Sequence, residues 1–274
     1  MTKVALVTGA SSGIGEATAL ALHEAGYTVY AAARRVSRMS SLAAQGVHVL
    51  SMDVTDDASM VAGVSQILDS SGRIDVLVNN AGYGSFGAFE DVPLSEGKYQ
   101  FEVNLFGLAR LVQLVAPHMR GQGSGRIVNV SSIGGKIYEP LGGWYHSTKF
   151  AVEGLSDSLR LELKPFGVDV VVIQPGAIKT EWADIAMSNL LKTSGAGAYA
   201  SVAQAMSRMQ RFADRASSPS VVASTILKAV SVRRPRTRYA VGGGARPILF
   251  LRRVLSDRAF DAMMLFALRR LAAA

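Results

Sequence analysis

Along most of this chain, short runs of apolar and β-branched residues alternate with longer segments of helical period. The runs KVALVT (3–8), TVYAAA (28–33), VHVLSM (47–52), DVLVNN (75–80), RIVNVSS (126–132) and VDVVVIQ (168–174) predict strands, and TRYAV (237–241) predicts a seventh at one edge. Several are apolar at successive positions, the pattern of a parallel sheet with helices over both faces. Segments near 13–25, 56–70, 95–119 and 144–164 predict the helices between them. The alternation implies an α/β fold: a doubly wound, Rossmann-type sheet of seven parallel strands with right-handed crossovers.

Two regions depart from the alternation. Residues 181–216, after the sixth strand, predict a helical insertion rich in Met187, Leu190, Leu191, Met206, Met209 and Phe212. Residues 246–271 place Phe260, Met263, Met264, Ala267, Leu268 and Leu271 on one helical face. The expected organisation is one domain over residues 1–241, insertion included, followed by a C-terminal helical extension over 242–274.

Composition narrows the picture. At 274 residues, 49% hydrophobic and 18% charged, the chain can bury a large core. It has no cysteine, which excludes disulfides and thiolate metal sites and fits a reducing cytoplasm. His23, His48, His118 and His146 lack metal-ligand spacing, so no metal is expected, and His146 is expected to point off a different helix face from Tyr145. The first residues are too short an apolar run for a signal peptide, and no uncharged apolar stretch is long enough for a membrane span. The net charge of +8 is local: residues 231–274 hold ten arginines against Asp257 and Asp261, so the body is balanced and the tail is basic.

The candidate chemistry begins where the first strand ends, in TGASSGIGEA. Gly9, Gly13 and Gly15 fall where a strand turns into a helix, so the backbone can approach a pyrophosphate at a helix N-terminus. Further on, YHSTK puts Lys149 one helical turn after Tyr145. A free phenol titrates near ~10, and a neighbouring cation is expected to draw that value down, making the tyrosine an acid or base near neutrality.

The glycine spacing, G-x3-G-x-G, resembles that of the short-chain dehydrogenase/reductase family, and the order of further motifs extends the likeness over roughly residues 3–241. NNAG (79–82) is similar to its sheet-stabilising motif, DV (Asp53, Val54) to its adenine contact, and NVSS (129–132) puts Ser132 thirteen residues before Tyr145. The resemblance implies four catalytic residues. Tyr145 delivers the proton, Ser132 donates to the carbonyl oxygen, Lys149 lowers the tyrosine pKa and bonds the nicotinamide ribose, and Asn104 holds a water linking Lys149 to solvent. It implies cofactor contacts from Gly9, Ser11, Ser12, Gly13, Ile14, Gly15, Asn80, Ala81, Gly82, Pro175, Gly176 and Thr180, besides Tyr145 and Lys149. After the second strand, Ala33 replaces the acid expected of an NAD enzyme, and Arg34 and Arg35 follow. Guanidinium groups suit a 2′-phosphate, so NADP(H) is the expected cofactor.

The loop 133–144 and the insertion are expected to flank the nicotinamide, with Ser132, Tyr138, Leu141, Tyr145, Trp182 and Met187 as substrate contacts beside Trp144 and Leu190. Such a wall suits a bulky greasy alcohol or ketone. The chain resembles bacterial members near the 17β-hydroxysteroid and retinol dehydrogenase branch, which implies a steroid- or retinoid-like substrate. A 3-oxoacyl reductase is the alternative, and a non-catalytic NADP-sensing protein is the rival of another class. A homo-oligomer, dimer or tetramer, is expected. The basic tail is read first as packing on the body or a second subunit, then as peripheral contact with anionic lipid; no groove-reading motif accompanies its arginines, so nucleic acid is not an expected partner.

Overall fold

The computed structural model describes residues 2–211 and 216–273. Its sheet comprises β1 (Val4–Thr8), β2 (Thr28–Ala33), β3 (His48–Ser51), β4 (Val76–Asn79), β5 (Gly125–Val130), β6 (Val168–Pro175) and β7 (Arg238–Val241). All pairs are parallel, in the order β3-β2-β1-β4-β5-β6-β7. Between the strands run α1 (Gly13–Glu24), α2 (Ser40–Ala44), α3 (Asp57–Ser71), α4 (Leu94–Phe101), α5 (Gly107–Gly121) and α6 (Gly143–Leu163). After β6 come α7 (Glu181–Ser194), α8 (Ala200–Arg211) and α9 (Pro219–Ser231), and after β7 come α10 (Ala245–Val254) and α11 (Asp257–Ala273).

Alternation along each strand explains the two buried layers, because successive side chains point to opposite faces. Ala5 and Val7, Val29 and Ala31, and Val171 and Ile173 face one layer, which Ala19 and Leu22 of α1 and Val222 and Ile226 of α9 complete. Leu6, Tyr30, Leu77 and Ile127 face the other, against Met60 and Ile67 of α3, Leu111 and Val115 of α5, and Val152 of α6. The seven predicted strands are thus all present, the central five largely buried and the edge strands β3 and β7 more open.

Two helical features differ from expectation. The predicted helix 95–119 is α4 and α5 joined by a π-helical turn over Glu102–Phe106. Helix α9 was not among the predicted elements, although its buried Val222, Ile226, Ala229 and Val230 recur at helical spacing. Its signals are local: Ser218 caps it by accepting from the Ser220 N–H, and Pro219 opens its first turn. Burial against α1 then fixes it.

The insertion and the tail share a third apolar cluster. Ala186 and Leu190 of α7, Ala203 and Met206 of α8 and Leu268 of α11 pack together around Phe86 and Tyr145. Phe260 is fully buried. The expected face of α11 is thus partly realised: Met263, Met264 and Leu271 are half-buried, whereas Ala267 is exposed. Arg208 of α8 donates to the Leu271 carbonyl at 3.1 Å, so the tail is pinned to the insertion. The side chain of Met209, and Phe212 with the rest of 212–215, lie outside the described residues. Among the described residues, no helix is long and apolar enough to cross a membrane.

Candidate active site

The strand order reverses between β1 and β4, and a cleft of about 330 Å³ opens beyond the carboxyl ends of the strands. Ligands of open α/β sheets bind at this switch point. On one side the cleft is lined by Gly9, Ser12, Gly13 and Ile14, by Asn80, Ala81 and Gly82, and by Pro175, Gly176 and Thr180. Gly9 has φ +66°, and an added Cβ would meet the Ala81 backbone at 2.8 Å. A Cβ on Gly15 would sit 2.3 Å from the Gly9 carbonyl, so this residue, although absent from the lining, sets how tightly the turn closes. Asn80 holds the same turn through its side-chain amide, which donates to the Thr8 carbonyl at 3.0 Å. Ser12 precedes α1 without making a side-chain capping bond. The first-turn N–H groups and the hydroxyl thus face a cradle that only a turn without side chains leaves open, and this fits a dinucleotide pyrophosphate.

The remaining expected nucleotide residues lie along the ends of β2 and β3, outside the lined cleft. Arg34 and Arg35 are exposed, directly after β2. Arg34 donates to the Tyr99 hydroxyl at 3.1 Å and stands 4.0 Å from Asp53. Asp53 accepts from the Thr55 N–H and hydroxyl, which orders the turn that carries Val54. Ser11 is half-buried in the glycine turn but does not line the cleft.

On the other side stand the residues expected to do chemistry. Ser132, Tyr145 and Lys149 line the cleft together. Tyr145 is buried, 5.3 Å from the Phe86 ring and 5.2 Å from Trp182. Asn104 lies on the π turn; its amide accepts from the Tyr83 N–H at 2.9 Å and donates to the Tyr83 carbonyl at 2.9 Å and to Thr148 at 3.1 Å. A Cβ on Gly82 would lie 3.0 Å from Asn104 Oδ1 and 3.7 Å from Lys149 Nζ, which puts lysine and asparagine side by side behind the tyrosine.

The electrostatics correct one expectation. Burial pushes the Tyr145 phenol up to about 12; hydrogen bonding to Ser132 opposes this, and the nearby Glu139 carboxyl adds to it. Lys149 does not draw the phenol down. Its ammonium turns to β5, donating to the Val130 carbonyl at 3.1 Å and standing 6.0 Å from the tyrosine ring centroid. Burial lowers the lysine itself to about 8, against the pull of Glu153. On this chain alone the phenol keeps its proton at neutral pH.

The substrate wall is also partly different from expectation. Trp182 and Met187 line the cleft as expected. Tyr138 does not: its ring packs on Phe260 at 5.3 Å, and its hydroxyl donates to Asp261 at 2.9 Å, so it ties the loop to the tail. Leu141 packs in the cluster behind the wall, with φ 63°. Trp144 stacks on Phe89 at 5.2 Å, and Leu190 is fully buried, so both serve packing. Sequence reasoning missed Phe86, Ile137, Glu139 and His146, all of which line the cleft. His146 faces Tyr145 at 5.6 Å rather than pointing away, held by the Gly134 carbonyl at 2.9 Å. Its signal was adjacency to the tyrosine, which a helical wheel discounts.

A glycine-turn cradle opposite a buried tyrosine, serine and lysine defines a class: a Rossmann-type oxidoreductase. Residues 3–189 match the short chain dehydrogenase family, and the chain belongs to it. It is 35% identical to a probable short-chain type dehydrogenase/reductase, VdlC, of Helicobacter pylori, over 95% of this chain and 96% of that one. A 3-ketodihydrosphingosine reductase of Bacteroides thetaiotaomicron is 42% identical over 66% of each. A short-chain dehydrogenase from Streptomyces avermitilis superposes with a TM-score of 0.81 at 36% identity, over 91% of both chains. Neighbours carry either nucleotide. A metagenomic short-chain oxidoreductase in complex with NADP matches at 28% identity and TM-score 0.68, covering 86% of this chain and 95% of that one. A Burkholderia phymatum enzyme in complex with NAD matches at 25% and 0.78, covering 96% and 95%.

Proposed function

We propose that this oxidoreductase uses NADP(H) to interconvert a bulky hydrophobic ketone and its alcohol, with Tyr145 as the acid. The observation that carries the reading is a buried, protonated phenol between Ser132 and an apolar wall of Phe86, Trp182 and Met187. A nicotinamide dinucleotide bound along the glycine turn would supply or accept the hydride. Tyr145 gives its proton to the carbonyl oxygen as negative charge grows there, and Ser132 donates a second hydrogen bond to the same oxygen. The Asn104 amide is already engaged with Tyr83 and Thr148, so the main chain of the π turn is the part left to hold the water that links Lys149 to solvent.

The NADP preference is supported by Ala33 at the position where a carboxylate would otherwise stand and by the exposed Arg34 and Arg35 that follow it. The apolar wall suits a steroid- or retinoid-like ketone. The relative named for 3-ketodihydrosphingosine reduction favours a second reading, in which the ketone is that compound or one like it. A homo-oligomer, dimer or tetramer, belongs to the same proposal, supported by large apolar side chains exposed at Phe106, Phe150 and Leu161.

The test is NADPH oxidation followed across a panel of hydrophobic ketones. Tyr145→Phe is expected to cut turnover by about 10²- to 10⁴-fold while NADPH binding, measured by calorimetry, stays within about twofold. Equal turnover by the variant would overturn the assignment.

A further inference from the structure

Among the described residues, the cleft carries one acidic side chain. Glu139, six residues before Tyr145, lines it with a side chain about a quarter exposed (24%). Its carboxyl takes part in no hydrogen bond among the described residues. The nearest basic side chain, His146, stands 4.0 Å away through Nε2 and does not neutralise it. The ring is neutral by its own bonds: Nδ1 must donate to the Gly134 carbonyl at 2.9 Å, and Nε2 accepts from the Glu139 N–H at 3.2 Å. Burial holds that histidine below its ordinary range as well.

The other cations nearby are committed elsewhere. Lys136, on the same loop, pairs with Glu153 at 3.3 Å, and Lys149 faces the Val130 carbonyl. Glu139 and Tyr145 line the same cleft, and the Glu139 charge is close enough to raise the phenol. A half-enclosed carboxylate without a partner is costly, and a site tolerates it where a ligand brings the opposite charge.

We propose that Glu139 receives an ammonium carried by the substrate, so that the ketone reduced here bears an amino group close to its carbonyl and an apolar remainder against Trp182 and Met187. Neutral donors could satisfy the lone pairs, but a ligand cation is what balances the charge of the ionised carboxyl. The same ammonium would cancel the field of Glu139 at Tyr145, the one carboxylate among the described residues that opposes loss of the phenolic proton, so the substrate itself eases its own protonation. Glu139 is therefore a substrate-reading residue for the reaction proposed above, and it narrows the hydrophobic ketone to an amphiphilic, cationic one.

The inference rests on the reading of Tyr145 as the acid, and two measurements separate them. NADPH-driven reduction is followed with a long-chain α-amino ketone and with the same chain lacking the amine. The wild-type protein is expected to favour the amino ketone by about 10- to 100-fold in kcat/KM. Glu139→Gln should erase most of that preference through KM, and Glu139→Asp should restore part of it. Equal use of the two ketones by the wild type, or an undiminished preference in Glu139→Gln, overturns the proposal. Calorimetry of the NADPH complex with the matching amino alcohol and plain alcohol tests the contact without turnover. Tighter binding of the amino alcohol, lost in Glu139→Gln, supports it even if neither ketone is reduced, an outcome that would count against the ketone-reductase reading alone. Equal binding of the two alcohols overturns it.

Discussion

Around the glycine turn, the cleft is made of backbone and short side chains held by neighbouring strands. Asn80 bonds the Thr8 carbonyl, Gly15 leaves room for the Gly9 carbonyl, and β1 and β4 set both in place. The substrate side is made of large side chains carried by elements distant in sequence: Phe86, the loop before α6, Trp182 and Met187 of the insertion, with the tail behind them. One side is set by local backbone conformation at the ends of adjacent strands, the other by packing among parts that meet only in the folded chain. The nucleotide side should therefore answer to a single added methyl, and the substrate side to the loss of a buried ring far from the chemistry.

The largest effect tests the second of these statements. Phe260→Ala removes a fully buried ring between α11 and Tyr138, and is expected to cost about 3–5 kcal/mol in denaturant unfolding. The same variant should raise KM for the ketone severalfold and leave the dissociation constant for NADPH within about twofold. Comparable damage to both constants would erase the distinction between the two sides.

Gly15→Ala probes the reverse. Its Cβ meets backbone at 2.3 Å, and overpacking of this kind, at about 1–3 kcal/mol, predicts a loss of nucleotide affinity of about 10- to 100-fold by calorimetry. Replacing Arg34 and Arg35 together with alanine should weaken NADPH by about 10- to 100-fold, the size of lost charge-assisted bonds. NADH binding should hardly change; an equal loss for both nucleotides would remove the 2′-phosphate from the explanation.

A further effect is in pH. Folding raises the Glu139 carboxyl from 4.5 to about 7 through burial. The folded state thus keeps a proton that the unfolded chain gives up, and the associated stability, fully present below pH 4.5, is lost as pH rises to 7. Above that the deficit levels off at up to about 3 kcal/mol. Glu139→Gln should be more stable than the parent at pH 8 and equal to it near pH 4, as urea midpoints would show. A constant difference across pH would mean that the carboxyl is not buried in the way described.

Legibility followed the same division. The central strands were readable because a parallel sheet covered on both faces demands apolar runs, and the edge strands β3 and β7 by their β-branched and aromatic residues in the alternation. Gly9, Tyr145 and Lys149 were readable because chemistry fixes residue type and spacing within a turn, and Ser132 came with the family resemblance. Trp182 and Met187 were found by composition alone, and that same reasoning placed Tyr138, Leu141 and Trp144 beside them. The three residues are on the expected loop, yet Tyr138 braces the tail, Leu141 fills the cluster behind the wall and Trp144 stacks on Phe89. Glu139 went unread because nothing in the loop sequence says which way a side chain turns, and His146 was misplaced because helical spacing turns adjacent residues apart.

The chain's own order of residues thus determined a doubly wound sheet, a glycine turn that leaves backbone N–H groups open, and a tyrosine one helical turn from a lysine. These follow from period, chirality and the steric freedom of glycine, each of which acts over a few residues. Tertiary structure alone decided that the lysine turns to Val130, that burial rather than a neighbouring charge governs the phenol, and that a lone carboxylate faces it. Those outcomes depend on desolvation and on distances between groups far apart in sequence, and such distances exist only once the chain has packed.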